Sequence, residues 1–215
     1  MVVPLHYRKN TEQAIATYNF TDIANNTGIV RYYPAKTSSG AILAIAQIYS
    51  NDIETRSNQI SHAYVLANNI DFDINFNAPR TLRGLATINV PIGFQATSST
   101  RTHRTFASFA LYKVTDGAET LIQSASSAVF TAVSTSTSSK HTKMTTTDFN
   151  ISSPVLIRAN DTLRLRLQQY GLETTGPVAF EASFAVAHDP KNRAGVLIAD
   201  IDTNIFLDLP FRIDL

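Results

Sequence analysis

The stretch Leu163-Arg-Leu-Arg-Leu-Gln-Gln-Tyr170 sets Leu163, Leu165 and Leu167 on one parity and Arg164, Arg166 and Gln168 on the other. Successive side chains of a strand point to opposite faces, so this period of two predicts a strand with one buried and one wet side. The same pattern extends outward in both directions. Residues 70–76 oppose Ile70, Phe72, Ile74 and Phe76 to Asp71, Asp73 and Asn75. Residues 82–94 gather Leu82, Ala86, Ile88, Val90, Ile92 and Phe94 against Arg83, Thr87 and Asn89. Residues 178–186 align Val178, Phe180, Ala182, Phe184 and Val186. In 205–215 the apolar parity holds Ile205, Leu207, Leu209, Phe211, Ile213 and Leu215, with Phe206 alone out of character on the polar side. That last run predicts a chain whose final residues are built into a sheet.

Residues 29–33 and 41–49 are apolar on both parities and predict strands covered on both sides. With 106–114 and 120–130 the count reaches nine or ten strands. Turn chemistry separates them at Asn25-Asn26-Thr27-Gly28, Ser38-Ser39-Gly40, Asp116-Gly117, Asn160-Asp161 and Thr175-Gly176-Pro177. Only residues 11–18, with Thr11 as N-cap, carry a helical signal, and an extended arm fits them equally. No strand alternates with a long helix, which excludes an α/β fold. The expectation is all-β: a single-domain antiparallel β-sandwich, jelly-roll-like, over 18–215, preceded by an N-terminal arm or short helix over 1–17.

Composition narrows the class. The chain has 215 residues, 44% hydrophobic and 16% charged, with a formal charge of +1. Near-neutral charge argues against a dedicated nucleic-acid binder and makes self-association electrostatically easy. The absence of cysteine excludes disulfides, thiolate metal sites and a cysteine nucleophile. No run of 18 apolar residues predicts a membrane span, and the N-terminus lacks a secretory layout, so synthesis and folding in a cytoplasm are expected.

Chemistry is harder to find. The five histidines, His6, His62, His103, His141 and His188, have no paired ligand spacing. Asp71-Phe-Asp-Ile-Asn-Phe-Asn77 and Asp200-Ile-Asp-Thr-Asn204 mimic the start of a calcium loop. They lack the glycine and glutamate that such a loop needs at its sixth and twelfth positions. The first therefore reads as the solvent face of a strand and the second as a structural loop. There is no Gly-x-Ser-x-Gly elbow, no glycine-rich phosphate loop and no suggestive placement of the five glutamates. No catalytic residue, cofactor site or metal site is predicted, and the chain reads as a non-enzymatic protein without a cofactor.

Two Ser/Thr-rich stretches, 96–105 and 134–147, read as long surface loops or ribbon-like edge extensions. They carry the candidate contact residues Arg101, His103 and Arg104 in one and Lys140, His141 and Lys143 in the other. If both stretches share an end of the sandwich, these residues form a modest positive patch for an acidic partner such as a neighbouring subunit or a surface polysaccharide. The bland alternative is solubilising charge. Arg164 and Arg166 read as solvent- or subunit-facing charge that discourages edge pairing. His188-Asp-Pro-Lys-Asn-Arg-Ala-Gly195 reads as an Asp-Pro turn cluster.

Several phrases resemble a known group. Tyr18-Asn-Phe-Thr-Asp-Ile-Ala-Asn-Asn-Thr-Gly-Ile-Val-Arg-Tyr-Tyr33 resembles the opening of uncharacterised virion structural proteins of tailed bacteriophages. Pro79-Arg-Thr-Leu-Arg-Gly84, His188-Asp-Pro-Lys-Asn-Arg193 and Leu209-Pro-Phe-Arg-Ile-Asp-Leu215 follow in the order that family uses. The resemblance implies a β-sandwich component of a phage particle with no catalytic residues to carry over. The resemblance leaves the place on the particle open; a cofactor-free, cysteine-free, low-charge and strand-rich chain suits a capsid decoration or cement protein, and the expectation is a homotrimer resting on the major capsid protein or other virion proteins, with neither nucleic acid nor membrane as partner. Two other readings stay open: a small jelly-roll major capsid protein, and a carbohydrate-binding receptor module using Tyr32, Tyr33, Tyr49 and Tyr64.

Overall fold

The computed structural model describes residues 27–37, 40–46, 53–59, 62–96, 101–136, 139–173, 182–188 and 205–212. Among them every regular element is a strand: β1 (Thr27–Thr37), β2 (Gly40–Ala44), β3 (Ile53–Gln59), β4 (Val65–Asn75), β5 (Arg80–Ala96), β6 (Thr102–Thr115), β7 (Ala118–Ser126), β8 (Phe130–Val133), β9 (Lys140–Ile157), β10 (Thr162–Glu173), β11 (Ala182–His188) and β12 (Phe206–Arg212). The protein is an all-β sandwich of jelly-roll type. The expected arm or helix over 1–17 lies outside the described residues, as do Ile213, Leu215 and the 189–204 segment.

Two sheets face each other. In the first, β5 lies between β9 on one side and β12 and β11 on the other, with β1 beyond β12 and β3 beyond β11. The second runs β2-β4-β10-β6, with β7 and β8 sharing the far side of β6. Pairing is antiparallel throughout except for a single parallel bridge, Ile42 to Asp73. Strand β1 belongs to both sheets. Thr27 to Tyr32 pair with β12, and Tyr33 to Thr37 pair with β2.

The predicted inward parities are the core. Leu82, Ile88, Val90 and Ile92 of β5 are wholly buried with Leu163, Leu165 and Leu167 of β10 and Leu207 and Leu209 of β12, while Phe94 is buried in a second cluster with Ala182 and Phe184. At about 25 cal/mol per Å² of apolar surface withdrawn from water, this face is the main driving force of the fold. The Asp116-Gly117 turn between β6 and β7 has positive φ at both residues, 51° and 81°. Paired positive φ suits the twist of a two-residue hairpin and explains why Asp-Gly occupies it.

Two expectations are corrected and a third is narrowed. Strand β10 is not an edge, since it is paired along both sides. The apolar runs 29–33 and 41–49 are not covered on both faces, because Ile29 and Ile45 are exposed; β1 changes sheets within its length instead. Of the two forms expected for the stretches 96–105 and 134–147, the described parts are strand rather than loop: Thr102 to Thr105 open β6, which is paired on both sides, and Lys140 to Thr147 open β9, which lies at an edge. The edge of β9 is protected across the sandwich, where Lys113 Nζ and Gln123 Nε2 donate to the carbonyls of Leu156 and Asn150 at 2.9 and 3.0 Å. Capped carbonyls cannot template another strand.

Candidate functional site

The two basic stretches do share one end of the sandwich. Phe94, near the end of β5, is directly opposite His141 on β9 in the register, and its ring lies 5.0 Å from that imidazole and 4.8 Å from His103. Phe130 and Phe184 close the cluster at 5.9 and 6.2 Å. His103 is therefore a core residue, fully buried on the inner face of β6, and its side chain faces no partner outside the fold. His141 is half-buried, with Nε2 lacking a hydrogen-bond partner. Lys143 lies across the seam between β9 and β8, its Nζ 5.9 Å from the centre of the Phe130 ring. Arg101 and Lys140 are half-buried, and Arg104 is exposed on the outer face of β6. The expected patch is thus split: Lys143 lies over the aromatic cluster, and Arg104 faces outward from the other side of β6. Reading the parity of 106–114 backwards from Phe109 through Ala107 and Thr105 reaches His103, a signal that could have placed it inside.

The outer face of the second sheet has three zones. At one end Arg164 forks onto Asp73 at 2.8 and 2.7 Å, Arg166 forks onto Asp71 at 2.8 Å twice, and Glu119 of β7 bridges both arginines. Bidentate arginine–carboxylate pairing is strong and geometrically exacting. It holds the Glu119 carboxyl below its ordinary range, chiefly through the Arg166 hydrogen bond, and raises both guanidinium groups. The carboxylates of the calcium-loop mimic are therefore occupied by arginines. Among the described residues no group of His, Cys, Asp or Glu is placed to hold a metal.

The middle zone is neutral and polar, with Asn69, Gln168 and Ser108 in one row across three strands. The far zone is aromatic. Phe106 and Tyr170, directly opposite on β6 and β10, stack at 5.1 Å and 11°. Tyr64 meets Phe106 edge-on at 5.1 Å. Tyr64 and Leu66 are 40% and 44% exposed. The Tyr170 hydroxyl donates to Gln168 Oε1 at 3.3 Å, joining the aromatic zone to the polar one. Of the tyrosines expected around a carbohydrate groove, Tyr64 lies here, while Tyr33 is on β1 opposite Ala44 of β2. Tyr32 is buried on Phe211, with its hydroxyl pushed up by burial, and Tyr49 is outside the described residues.

Beneath the aromatic zone the core is polar. Asn68 Nδ2 donates to Gln169 Oε1 at 2.7 Å and to the Phe184 carbonyl at 2.9 Å. Gln169 Nε2 donates to the Gly93 carbonyl and to Thr105 Oγ1, both at 3.0 Å. The Thr105 hydroxyl continues to the Tyr170 carbonyl at 2.8 Å. Buried amides are tolerated only when satisfied, and this network links both sheets.

On the first sheet, three stretches far apart in sequence adjoin. Gly28 pairs with Phe211, which pairs with Leu82. Pro210 rests beside Gly84, which has a φ of 121° and where an added Cβ would lie 3.3 Å from Pro210 Cβ, so both backbone and space disfavour a side chain. Ile29, opposite Pro210, and Leu85, next to Gly84, are 42% and 57% exposed. Beyond them Arg31 forks onto Asp208 at 2.7 Å and lies 4.0 Å over the Phe206 ring. That stacking explains the one aromatic on the polar parity of this strand.

No protein family and no curated protein matches the sequence. Solved structures are similar in fold. An alpha-amino acid ester hydrolase matches at a TM-score of 0.53 and 11% identity, over 85% of this chain and 36% of that one. An aminopeptidase from a marine sediment Thaumarchaeota archaeon matches at 0.49 and 7%, over 84% and 36%. The particle of infectious bursal disease virus matches at 0.33 and 10%, over 80% and 38%. The chain spans about a third of the length of the structures it matches.

The expectation of a non-enzymatic chain is corrected by the first likeness, because hydrolases also carry this architecture. Among the described residues no helix is long and apolar enough to cross a membrane.

Proposed function

We propose that this chain is a structural component of a virus particle: a capsid decoration or cement protein of a tailed phage, bound to the major capsid protein as a homotrimer. The observation that carries the reading is where the resembling phrases fall in the fold. Parts of three of them, in 18–33, 79–84 and 209–215, lie side by side on β1, β5 and β12 of the first sheet. Phrases far apart in sequence that share one patch of surface are better explained by a common contact than by scattered core packing. The patch offers exposed Ile29 and Leu85 flanking Pro210, with the Arg31–Asp208 pair fixing its polar border. An apolar centre with a polar rim is the anatomy of a protein contact.

Copy number in purified particles, by quantitative mass spectrometry, tests the placement. Hundreds of copies support shell or decoration, whereas a dozen or fewer put the protein at a neck, tail tip or fibre and overturn it. The paired substitution Ile29→Arg and Leu85→Arg should leave the fold intact by circular dichroism and abolish binding to purified shells. A chain that stays monomeric at micromolar concentration in native mass spectrometry contradicts the trimer.

A further inference from the structure

The aromatic end of the second sheet is a site of a different kind from the proposed shell contact. We infer that Tyr64, Phe106, Tyr170, Gln168 and Arg104 form a binding surface for an acidic polysaccharide, one whose sugar rings carry carboxylates. The inference stands independently of the virion reading.

Three observations converge. First, the charges on this face are unequally used. Arg164 is bound by three carboxylates and Arg166 by two, whereas Arg104, two residues before Phe106, is exposed and has no side-chain partner among the described residues. Lys143 is exposed at the same end, with its Nζ 5.9 Å from the centre of the Phe130 ring. A guanidinium fork matches a carboxylate better than it matches a neutral group.

Second, rings stand next to unspent amides. A sugar presents an apolar C–H face and a rim of hydroxyls. The Tyr64–Phe106–Tyr170 cluster supplies the apolar contact. Gln168 spends its carbonyl oxygen on Tyr170, and its amide nitrogen and the Asn69 amide have no partner among the described residues. Donors held by a stacked ring are oriented before the ligand arrives, which lowers the cost of binding.

Third, the apolar area is small. Four side chains, about half covered by one another, expose on the order of 200–300 Å², given that a whole aromatic side chain buries about 150–250 Å². A stable protein contact takes about 800 Å² from each partner. A patch of this size suits two or three sugar residues, with affinity built by repetition along a polymer.

The experiment is isothermal titration of the whole chain with hexagalacturonate, its neutral methyl ester, an alginate hexamer, sialyllactose and poly-L-glutamate. At least one acidic sugar should bind, at least tenfold tighter than the methyl ester and than poly-L-glutamate, and should weaken as salt rises. Tyr64→Ala should lower that affinity tenfold or more, and Arg104→Gln should remove the preference for acid over ester. Both residues are on the surface, so unchanged thermal melting would show that the fold survives; Leu66→Ser serves as a second probe if Tyr64→Ala unfolds. The inference is overturned if no acidic sugar binds at millimolar concentration, if poly-L-glutamate binds as well as the sugars, or if Tyr64→Ala and Leu66→Ser both leave affinity unchanged.

Discussion

Gly171 of β10 leaves its Cβ position to the ring of Phe184 on the facing sheet, and replacing it measures how tightly the two sheets pack there. A Cβ built there lies 2.5 Å from Cε1 and Cζ of Phe184 and 2.6 Å from its Cδ1. Carbon atoms rest about 3.5–4.0 Å apart, so the ring must retreat by roughly 1 Å. Its retreat is opposed by Phe94 behind it and by Asn68, which holds the Phe184 carbonyl. Overpacking of this kind costs about 1–3 kcal/mol. Against it stands a gain of about 0.4–1 kcal/mol, because alanine has fewer unfolded conformations to lose than glycine.

Gly171→Ala should therefore destabilise by up to about 2.6 kcal/mol in urea unfolding followed by far-UV circular dichroism, with an unchanged m-value. Phe184→Leu destabilises by itself through lost packing. The double variant should be more stable than the sum of the two, with a coupling of about 1 kcal/mol. A Gly171→Ala that stabilises, or strict additivity with Phe184→Leu, would refute the claimed contact.

Other perturbations read other parts of the fold. Asp161 accepts hydrogen bonds from the Thr115 hydroxyl and the Arg158 backbone N–H and pairs with Lys113, which holds its pKa at about 2. A depressed folded pKa gives stability that is present above the unfolded value of about 3.9 and lost as pH falls through about 2. The urea midpoint should therefore drop between about pH 4 and pH 2, and Asp161→Asn should flatten that part of the profile. Gln169→Leu strands the buried amide of Asn68 and the Gly93 carbonyl at about 1–3 kcal/mol per orphaned group, a loss readable in the same unfolding assay. Leu209→Ala should cost about 2–5 kcal/mol, and truncation from Asp208 should abolish the folded circular dichroism signal. Glu119→Gln should lower the melting temperature in dilute buffer and have a smaller effect in molar salt, because it removes the carboxylate shared by two arginines.

Much of the fold was legible because four strands write the period of two in leucine, isoleucine and phenylalanine. Strand β9 was not, although it is among the longest. Its inward positions include Thr145 and Thr147 beside Phe149 and Ile151, and Thr145 satisfies its hydroxyl on the Val90 carbonyl. A buried threonine reads in sequence like a loop residue. Strand β3 has one apolar residue in seven and shows no period at all. The ion ladder had a trace in sequence: Asp71/Asp73 and Arg164/Arg166 share a spacing of two, but only register brings them together. The aromatic zone had none, since Phe106 and Tyr170 are made neighbours by strand pairing, which alternation cannot reveal.

Strand β1 also sets a clock on synthesis. Its second half finds β2 a few residues downstream, while its first half must wait for β12, with Arg31 and Asp208 separated by 177 positions. At about 5–20 residues per second, translation of that interval takes roughly 10–35 s. Throughout it the nascent chain carries a half-paired strand and an unfinished sheet. Chaperone supply during translation, more than equilibrium stability, should therefore govern how much of this protein reaches its native form.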